Sequence, residues 1–391
     1  MGLFRANAVA TSFFGKGSIE LLPKELRKRG FKRGLIVTDS FLFENGAGDK
    51  VGSYLLKAGL EYAIYYLVQP NPAVDLVNEC LEAAKALEID LLVAVGGGSA
   101  IDTAKAVSIV MTNAGRIEEY EGVNRSPKPG LPIVAVNTTA GTGSEVTSFY
   151  IVTNPDKHLK MCMVDPNCMV SIAINDTDFM MSMPKGLTAS TGMDAMTHAI
   201  EAAVSKRANP FTDKDALWAM KVIGRYLPEA VRDGGNETAR EMMAYAQYSA
   251  GMAFSNAGLG MVHAMAHSLG GRYSLPHGIC NAVLLPFVME FNGSYEAGAR
   301  QYQKVAKALG ISGAETMTGE EAVRESIALI RRLSKEVGLA ECLRELSIDP
   351  DSFYDLAKGA MLDACMEDNP VKPTVEEVAE VYKKAYYGVR S

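Results

Sequence analysis

The stretch "DLLVAVGGGSAIDTAKA", residues 90–106, runs from an apolar strand through three glycines into a helix. Its apolar run, Leu91 to Val95, is continuous rather than alternating, which marks a strand covered on both faces, as in a parallel sheet. Four further runs read as strands: "RGLIVTD" (33–39), "EYAIYYL" (61–67), "LPIVAVNTT" (131–139) and "VSIAIND" (170–176). Between them, "DKVGSYLLKAG" (49–59) and "VDLVNECLEAAKALE" (74–88) carry helical periodicity. Strand, helix, strand at this spacing predicts parallel pairing with helices on both faces.

After about Pro184 the pattern changes. Alanine, methionine and leucine dominate, β-branched runs vanish, and helical stretches follow one another at 185–205, 212–230, 238–257, 259–270, 277–291, 297–309, 319–337 and 375–388. The expected fold class is therefore α/β plus all-α, with a parallel-sheet domain over 1–184 and an all-helical domain over 185–391. A cleft between two such domains is where a small molecule would most naturally lie.

The 391 residues are 48% apolar with a net charge of −7, so a general nucleic-acid role is disfavoured. The densest basic stretch, "KELRKRGFKRG" (24–34), reads as a solvated helix end leading into a strand. No apolar run reaches the roughly 18–20 residues a membrane span needs. The first residues lack the charged-then-apolar layout of a secretory leader. Six scattered cysteines without CxxC pairs read as reduced core thiols of a cytoplasmic protein.

The glycines at 96–98 let the backbone approach a ligand, and the helix after them presents unpaired N–H groups to an anion. Ser99 with Asp102 also fits a capping box, which needs no ligand, and the G-x-G-x-x-G fingerprint fails because its sixth position is Ile101. A second loop, "NTTAGTGSEVTS" (137–148), brings hydroxyls and glycines to the same edge of the sheet. Together the two loops suit a pyrophosphate and ribose better than either alone. Asp39, ending the first long strand, is either a turn former or a ribose-binding acid that repels a 2′-phosphate; the second role predicts NAD(H) over NADP(H).

Four of the five histidines fall within one window of 80 residues in the helical half: 198, 263, 267 and 277, with His158 apart. In "GMDAMTHAIEAA" (192–203), Asp194 and His198 lie one turn apart on one helical face. His263 and His267 share another face, Gly270-Gly271 is expected to stop their helix, and His277 follows Pro276. Burying Asp194 among Met193, Ala195, Met196 and Ala199 is costly unless a positive partner meets it, and no Lys or Arg lies one turn away. One carboxylate with several imidazoles suits Zn²⁺ or Fe²⁺, not Ca²⁺ or Mg²⁺. Three of the four histidines are expected to ligate, and the spacing does not choose between His263 and His267. A metal beside a nicotinamide would act as a Lewis acid on a substrate oxygen, with the leftover histidine relaying the proton.

These motifs, "GGGSAIDTAKA", "NTTAGTGSEVT", "STGMDAMTHAIEA" and "GLGMVHAMAHSLGGRYSLPHGICNAVLLP", resemble the iron-dependent, group III alcohol dehydrogenases. That family includes lactaldehyde reductases, 1,3-propanediol dehydrogenases and bacillary methanol dehydrogenases. The resemblance spans essentially the whole chain, through "DNPVKPTVEEVAEVY". It implies NAD(H) and one divalent ion, Fe²⁺ foremost and Zn²⁺ as the alternative. It assigns the metal to Asp194, His198, His263 and His277, and leaves His267 as the non-ligand neighbour for the catalytic relay. On the cofactor side it points to Asp39, Asn71, Gly97, Gly98, Ser99, Asp102, the run Thr138, Thr139, Ala140, Gly141 and Thr142, then Thr147, Phe149 and Lys160. It implies a short alcohol or aldehyde as substrate and a homodimer or larger assembly.

Substrate identity is open at Phe149, Phe254, Arg272 and Cys365. Arg272 stands where relatives often carry an apolar or small residue. It either pairs with an anionic tail, as on sulfoacetaldehyde, or snorkels to the surface. Phe254 and Cys365 are candidates for a substrate wall and equally for plain core. The rival from another enzyme class is a lyase or cyclase of the dehydroquinate synthase type. It would crowd the metal segments with cations, yet Lys185 and Arg272 are the only ones within 184–204 and 258–285.

Overall fold

A computed structural model of the chain describes residues 3–157 and 159–388; His158 lies outside them. Contacts divide the chain into two compact units, Met1–Met183 and Pro184–Ser391. The strands of the described residues all fall in the first: β1 (Thr11–Phe14), β2 (Arg33–Asp39), β3 (Glu61–Val68), β4 (Leu91–Gly96), β5 (Gly122–Val123), β6 (Ile133–Asn137), β7 (Phe149–Asn154), β8 (Leu159–Val164) and β9 (Ile172–Asn175). Six of them form a wholly parallel sheet in the order β1-β9-β6-β4-β2-β3. Helices α1 (Leu22–Arg29), α2 (Ser40–Glu44), α3 (Ala47–Ala58), α4 (Val74–Ala86) and α5 (Gly98–Thr112) connect them. Ile36, Val93, Val95, Val134, Val136, Ile172 and Ile174 from the central strands pack with Leu22, Leu26, Val51 and Leu55 of α1 and α3 in a closed core. The chain steps outward from β2 to β3 and then returns to β4 on the other side of β2. The carboxyl ends of β2 and β4 therefore flank the point where strand order reverses, the ligand-binding crevice of open α/β sheets. Asp39 ends β2, and Gly97 follows β4.

Sequence reasoning missed β1, a four-residue, half-buried edge strand paired with β9. It also missed the antiparallel pair β7–β8, which with β5 forms a small second sheet. The basic stretch near residue 24 is α1, ending in basic residues and a left-handed Gly30 before β2.

The second unit is helical throughout its described residues: α6 (Lys185–Val204), α7 (Pro210–Arg232), α8 (Glu237–Ala257), α9 (Met261–Tyr273), α10 (His277–Gly293), α11 (Glu296–Ala308), α12 (Gly319–Glu336), α13 (Phe353–Leu362) and α14 (Val375–Tyr387). From Thr188 to Val204, every residue of α6 except Thr191 is buried. A helix buried on nearly every side is expected to be largely apolar, which is why Asp194, His198 and Glu201 stand out on it. Two expectations fail here. Helix α9 does not stop at Gly270-Gly271 but runs through both to Tyr273, ending at a left-handed Ser274. The glycines cost helix propensity only, about 1 kcal/mol each, which burial of the preceding turns outweighs. Helix α13 was missed because Gly359 and a short apolar stripe dilute its periodicity.

Lys105 is fully buried on α5. Its Nζ donates to the carbonyls of Thr147 (2.8 Å) and Phe149 (2.7 Å), and lies 3.4 Å from Thr147 Oγ1. It thereby fixes the entry of β7 against the helix that follows the glycine loop. Lys105→Met keeps the bulk of the side chain but strands two carbonyls. We expect a stability loss of about 2–4 kcal/mol, read from the urea midpoint with an unchanged m-value.

Candidate functional site

In the first unit, the two glycine-bearing loops interlock. A Cβ on Gly97 would fall 2.7 Å from Thr139 Cγ2, and one on Gly98 2.9 Å from Thr142 Cγ2. These glycines are thus required by the neighbouring loop, before any ligand is considered. The proposed capping box is absent: α5 begins at Gly98 with Gly97 as its N-cap, and no side chain caps it. Ser99 sits inside the first turn, and Asp102 instead accepts Ser144 Oγ–H (2.5 Å) and the Ile151 N–H (3.1 Å). The first N–H groups of a 15-residue helix are left to an outside acceptor.

Thr138, Thr139, Ala140, Gly141 and Thr147 are buried, while Thr142 and Phe149 are half-buried. The Thr139 N–H is tied to Asn137 Oδ1 (3.1 Å) at the end of β6. Asn71 has a left-handed backbone, φ 56°. Its Oδ1 accepts Lys160 Nζ at 2.7 Å, so two cofactor-side candidates 89 residues apart in sequence are in contact. Asp39 caps α2, its Oδ1 accepting the Leu42 N–H at 2.8 Å.

In the second unit, α6, α9 and α10 bring one acid and three imidazoles together. Nε2 atoms of His198, His263 and His277 lie 3.8, 3.7 and 3.6 Å from the single oxygen Asp194 Oδ1. These separations exceed a hydrogen bond. They are close to the roughly 3.4 Å that two ligands keep across one tetrahedral ion with bonds of about 2.1 Å. His198 and His263 stack at 4.6 Å between ring centroids, and His263 and His277 tilt together at 5.3 Å. Burial pushes the Asp194 acid toward its neutral form. The charges of His198, His277 and His263 overcome that push and hold it well below the usual carboxylate range. Burial likewise opposes protonation of His263, and the carboxylates of Asp194 and Glu201 reverse the effect and raise its pKa. Asn281, one turn beyond His277, donates Nδ2 to Asp194 Oδ1 (2.6 Å), and the same nitrogen is 3.1 Å from His263 Nε2 and His277 Nε2. Its own Oδ1 is buried without a hydrogen-bond partner among the described residues. Convergent lone pairs with an orphaned oxygen beside them fit a divalent cation.

His267, the fourth histidine of the window, is turned to another partner. Its Nδ1–H donates to Asp363 at 2.8 Å, and its ring stacks on His277 at 5.2 Å. Cys365 is buried, with its donor atom within 4.8 Å of those of His267 and Asp363. Phe254 stacks on His198 at 4.3 Å. Arg272 is exposed in the last turn of α9. Sequence reasoning missed Glu201, Asp363 and Asn281. Glu201 extends the Asp194–His198 stripe by one turn and Asn281 lies four residues past His277, so helical spacing held a signal for both. Asp363 precedes a short 3-10 segment, where no periodicity exists.

Glycine-bearing loops on a parallel sheet, carried with an acid–imidazole cluster on helices, are the parts of a metal-dependent oxidoreductase. The iron-containing alcohol dehydrogenase family model matches residues 10–177, and the C-terminal model of the same family matches residues 188–386. The chain belongs to the iron-containing alcohol dehydrogenase family. It is 44% identical over 374 residues to alcohol dehydrogenase 4 of Schizosaccharomyces pombe, covering 96% of this chain and 87% of that one. It is 43% identical over 376 residues to the NAD-dependent methanol dehydrogenase of Bacillus methanolicus, covering 96% and 97%. A crystal structure of 1,3-propanediol oxidoreductase superposes with a TM-score of 0.94 at 41% identity, covering 98% of this chain and all of that one. The lyase alternative falls with this membership.

Gly278 sets how closely α10 approaches α6. A Cβ there would fall 2.3 Å from the Ser190 carbonyl oxygen and 3.4 Å from Asp194 Cβ. Gly278→Ala should cost about 1–3 kcal/mol in chemical denaturation, since backbone must move to admit it. Gly224→Ala in α7, where nothing lies within 4 Å, should instead gain up to about 1 kcal/mol.

Proposed function

We propose that the protein is an NAD(H)-dependent alcohol dehydrogenase or aldehyde reductase acting on a short-chain alcohol or aldehyde, with one divalent ion held by Asp194, His198, His263 and His277. The observation that carries this reading is the convergence of three imidazole Nε2 atoms on one oxygen of a buried carboxylate. Iron is the first choice of ion, with zinc as the alternative. When bound, the ion supplies Lewis acidity toward a substrate oxygen and the nicotinamide accepts or supplies a hydride. The chain's own groups do the rest.

Gly97, Gly98 and Ser99 offer the uncapped amides of α5 to the pyrophosphate, beside the Thr138–Thr142 loop. Asp39 spends Oδ1 on its helix cap and keeps Oδ2 for a ribose hydroxyl, disfavouring a 2′-phosphate. Asn71 and Lys160 act as one unit through their mutual hydrogen bond. His267 holds its Nδ1–H on Asp363, which leaves Nε2 as the open proton site of a relay. Phe254, stacked on His198, and Cys365, beside His267, line the substrate side. The assembly is a homodimer or larger, and the compartment is the cytoplasm. All six cysteines are buried thiols outside any disulfide, and no helix among the described residues is long and apolar enough to cross a membrane.

Four measurements bear on this. Chelation should abolish NADH-dependent reduction of lactaldehyde, 3-hydroxypropionaldehyde and butyraldehyde, and Fe²⁺ or Zn²⁺ should restore it; activity that survives removal of the metal would refute the reading. Asp39→Ser retains a capping oxygen but loses the charge, so NADPH use relative to NADH should rise by about tenfold or more with little change in melting temperature. His267→Ala should lower kcat by about 10²-fold or more while leaving Zn²⁺ affinity near that of the parent protein, which separates a relay from a ligand. A sulfonated aldehyde, compared between the parent and Arg272→Leu, tests whether the exposed guanidinium has any part in substrate choice.

A further inference from the structure

Glu201 is a second acid buried on α6, one helical stripe beyond Asp194 and His198, with 4% of its surface exposed. Its Oε1 accepts the Val262 N–H at 2.6 Å, and its Oε2 accepts the Gly260 N–H at 3.1 Å and His263 Nδ1–H at 2.6 Å. The ion pair recorded for it among the described residues is with that imidazole. The approach is close: a Cβ on Gly260 would fall 2.9 Å from both Glu201 Oε1 and Asn369 Oδ1, so either side chain would have to shift to admit one. A buried carboxylate needs compensation on this scale, and here it is drawn from the first turn of α9 and from one ring.

We propose that Glu201 is a positioning residue of the metal centre. An ionised carboxylate only accepts, so Nδ1 of His263 carries a proton toward it, and in the neutral ring that binds a cation Nε2 is the nitrogen left with the lone pair. That lone pair is on the atom 3.7 Å from Asp194 Oδ1. One group thereby sets the tautomer, the orientation and the basicity of His263, as second partners of metal-bound imidazoles do. It also ties the ring to the start of its own helix, because the same oxygens hold the Gly260 and Val262 amides. Among the described residues, three donors and no acceptor are hydrogen-bonded to the carboxylate. A glutamine would have to turn its NH₂ group toward at least one N–H, so substitution disturbs more than charge. The fork also separates two histidines that are chemically alike and one turn apart: Glu201 holds His263 toward the cluster, whereas Asp363 holds His267.

This inference rests on the metal-site reading above, and its test distinguishes the two. The probe is Zn²⁺ alone, titrated into metal-free full-length protein in competition with a chromophoric chelator. If the parent chain binds no Zn²⁺ at this site, the metal-site reading fails. If it does bind, Glu201→Gln should weaken the affinity about 10–100-fold. Asn369→Ala is the comparison for mere anchoring of α9, because Asn369 Oδ1 accepts the neighbouring Met261 N–H at 3.1 Å without touching a histidine. It should shift Zn²⁺ affinity by less than about threefold. In a His263→Ala background, Glu201→Gln should add less than about threefold further, since the ring through which it acts is gone. Affinity within about threefold of the parent for Glu201→Gln, or an equal loss in Asn369→Ala, overturns the proposal. Should Glu201→Gln fail to fold, Glu201→Asp retains the charge but withdraws it by one methylene. It too should lose about tenfold or more, and undiminished binding there overturns the proposal equally.

Discussion

A carboxylate shut inside a dry helix bundle must be met by positive charge, and this demand shapes the second unit. Asp194 lies on a helix buried on nearly every side, and its ion-pair partners among the described residues are three imidazoles drawn from α6, α9 and α10. Three helices must therefore hold fixed distances and rotations. Gly278 lets α10 seat against the α6 backbone, Glu201 clamps the start of α9 to α6, and Asn369 takes the next amide of that start while paired with Asn292 of α10. The packing that makes this bundle a folded body and the polar contacts that aim its rings are largely the same contacts.

The two units were legible in the sequence to different depths. Continuous apolar runs marked β2, β4, β6 and β9 closely, because a strand buried on both faces has no other way to be written, and β3, a partly exposed edge strand, was legible from its aromatic and branched residues. The short edge strand β1 and the β7–β8 pair had no such signature. β1 is half-buried and becomes a strand through β9, far along the chain, whereas β7 alternates and β8 carries Lys160 inside its apolar run, so the local hairpin they form reads weakly. In the helical unit, positions along the chain were clear except for α13 and termination was not: paired glycines ended α9 on paper, while buried neighbours carried it three residues further.

The candidate site shows the same division. Asp194 with His198, and His263 with His267, follow from helical spacing, but spacing alone could not say which of the latter pair faces the acid. That choice is made by Glu201 and Asp363, which lie 62 residues before His263 and 96 residues after His267. Helical spacing puts Glu201 on the Asp194–His198 stripe without saying which histidine it meets, and Asp363 lies in no periodic segment at all. The capping box at Ser99 misled for a related reason. Asp102 has better acceptor geometry for Ser144 and Ile151, donors that only the folded sheet brings within reach.

The interlocking of the two loops in the first unit has a consequence for how this chain can change over generations. Gly97 and Gly98 cede the space of their absent side chains to Thr139 and Thr142. Enlarging either glycine is therefore tolerable only where its threonine shrinks or swings aside, so neither segment is free to diverge by itself. In lineages descended from such a chain, alterations at 97 should travel with alterations at 139, and those at 98 with 142, as a linked heritage imposed by shape.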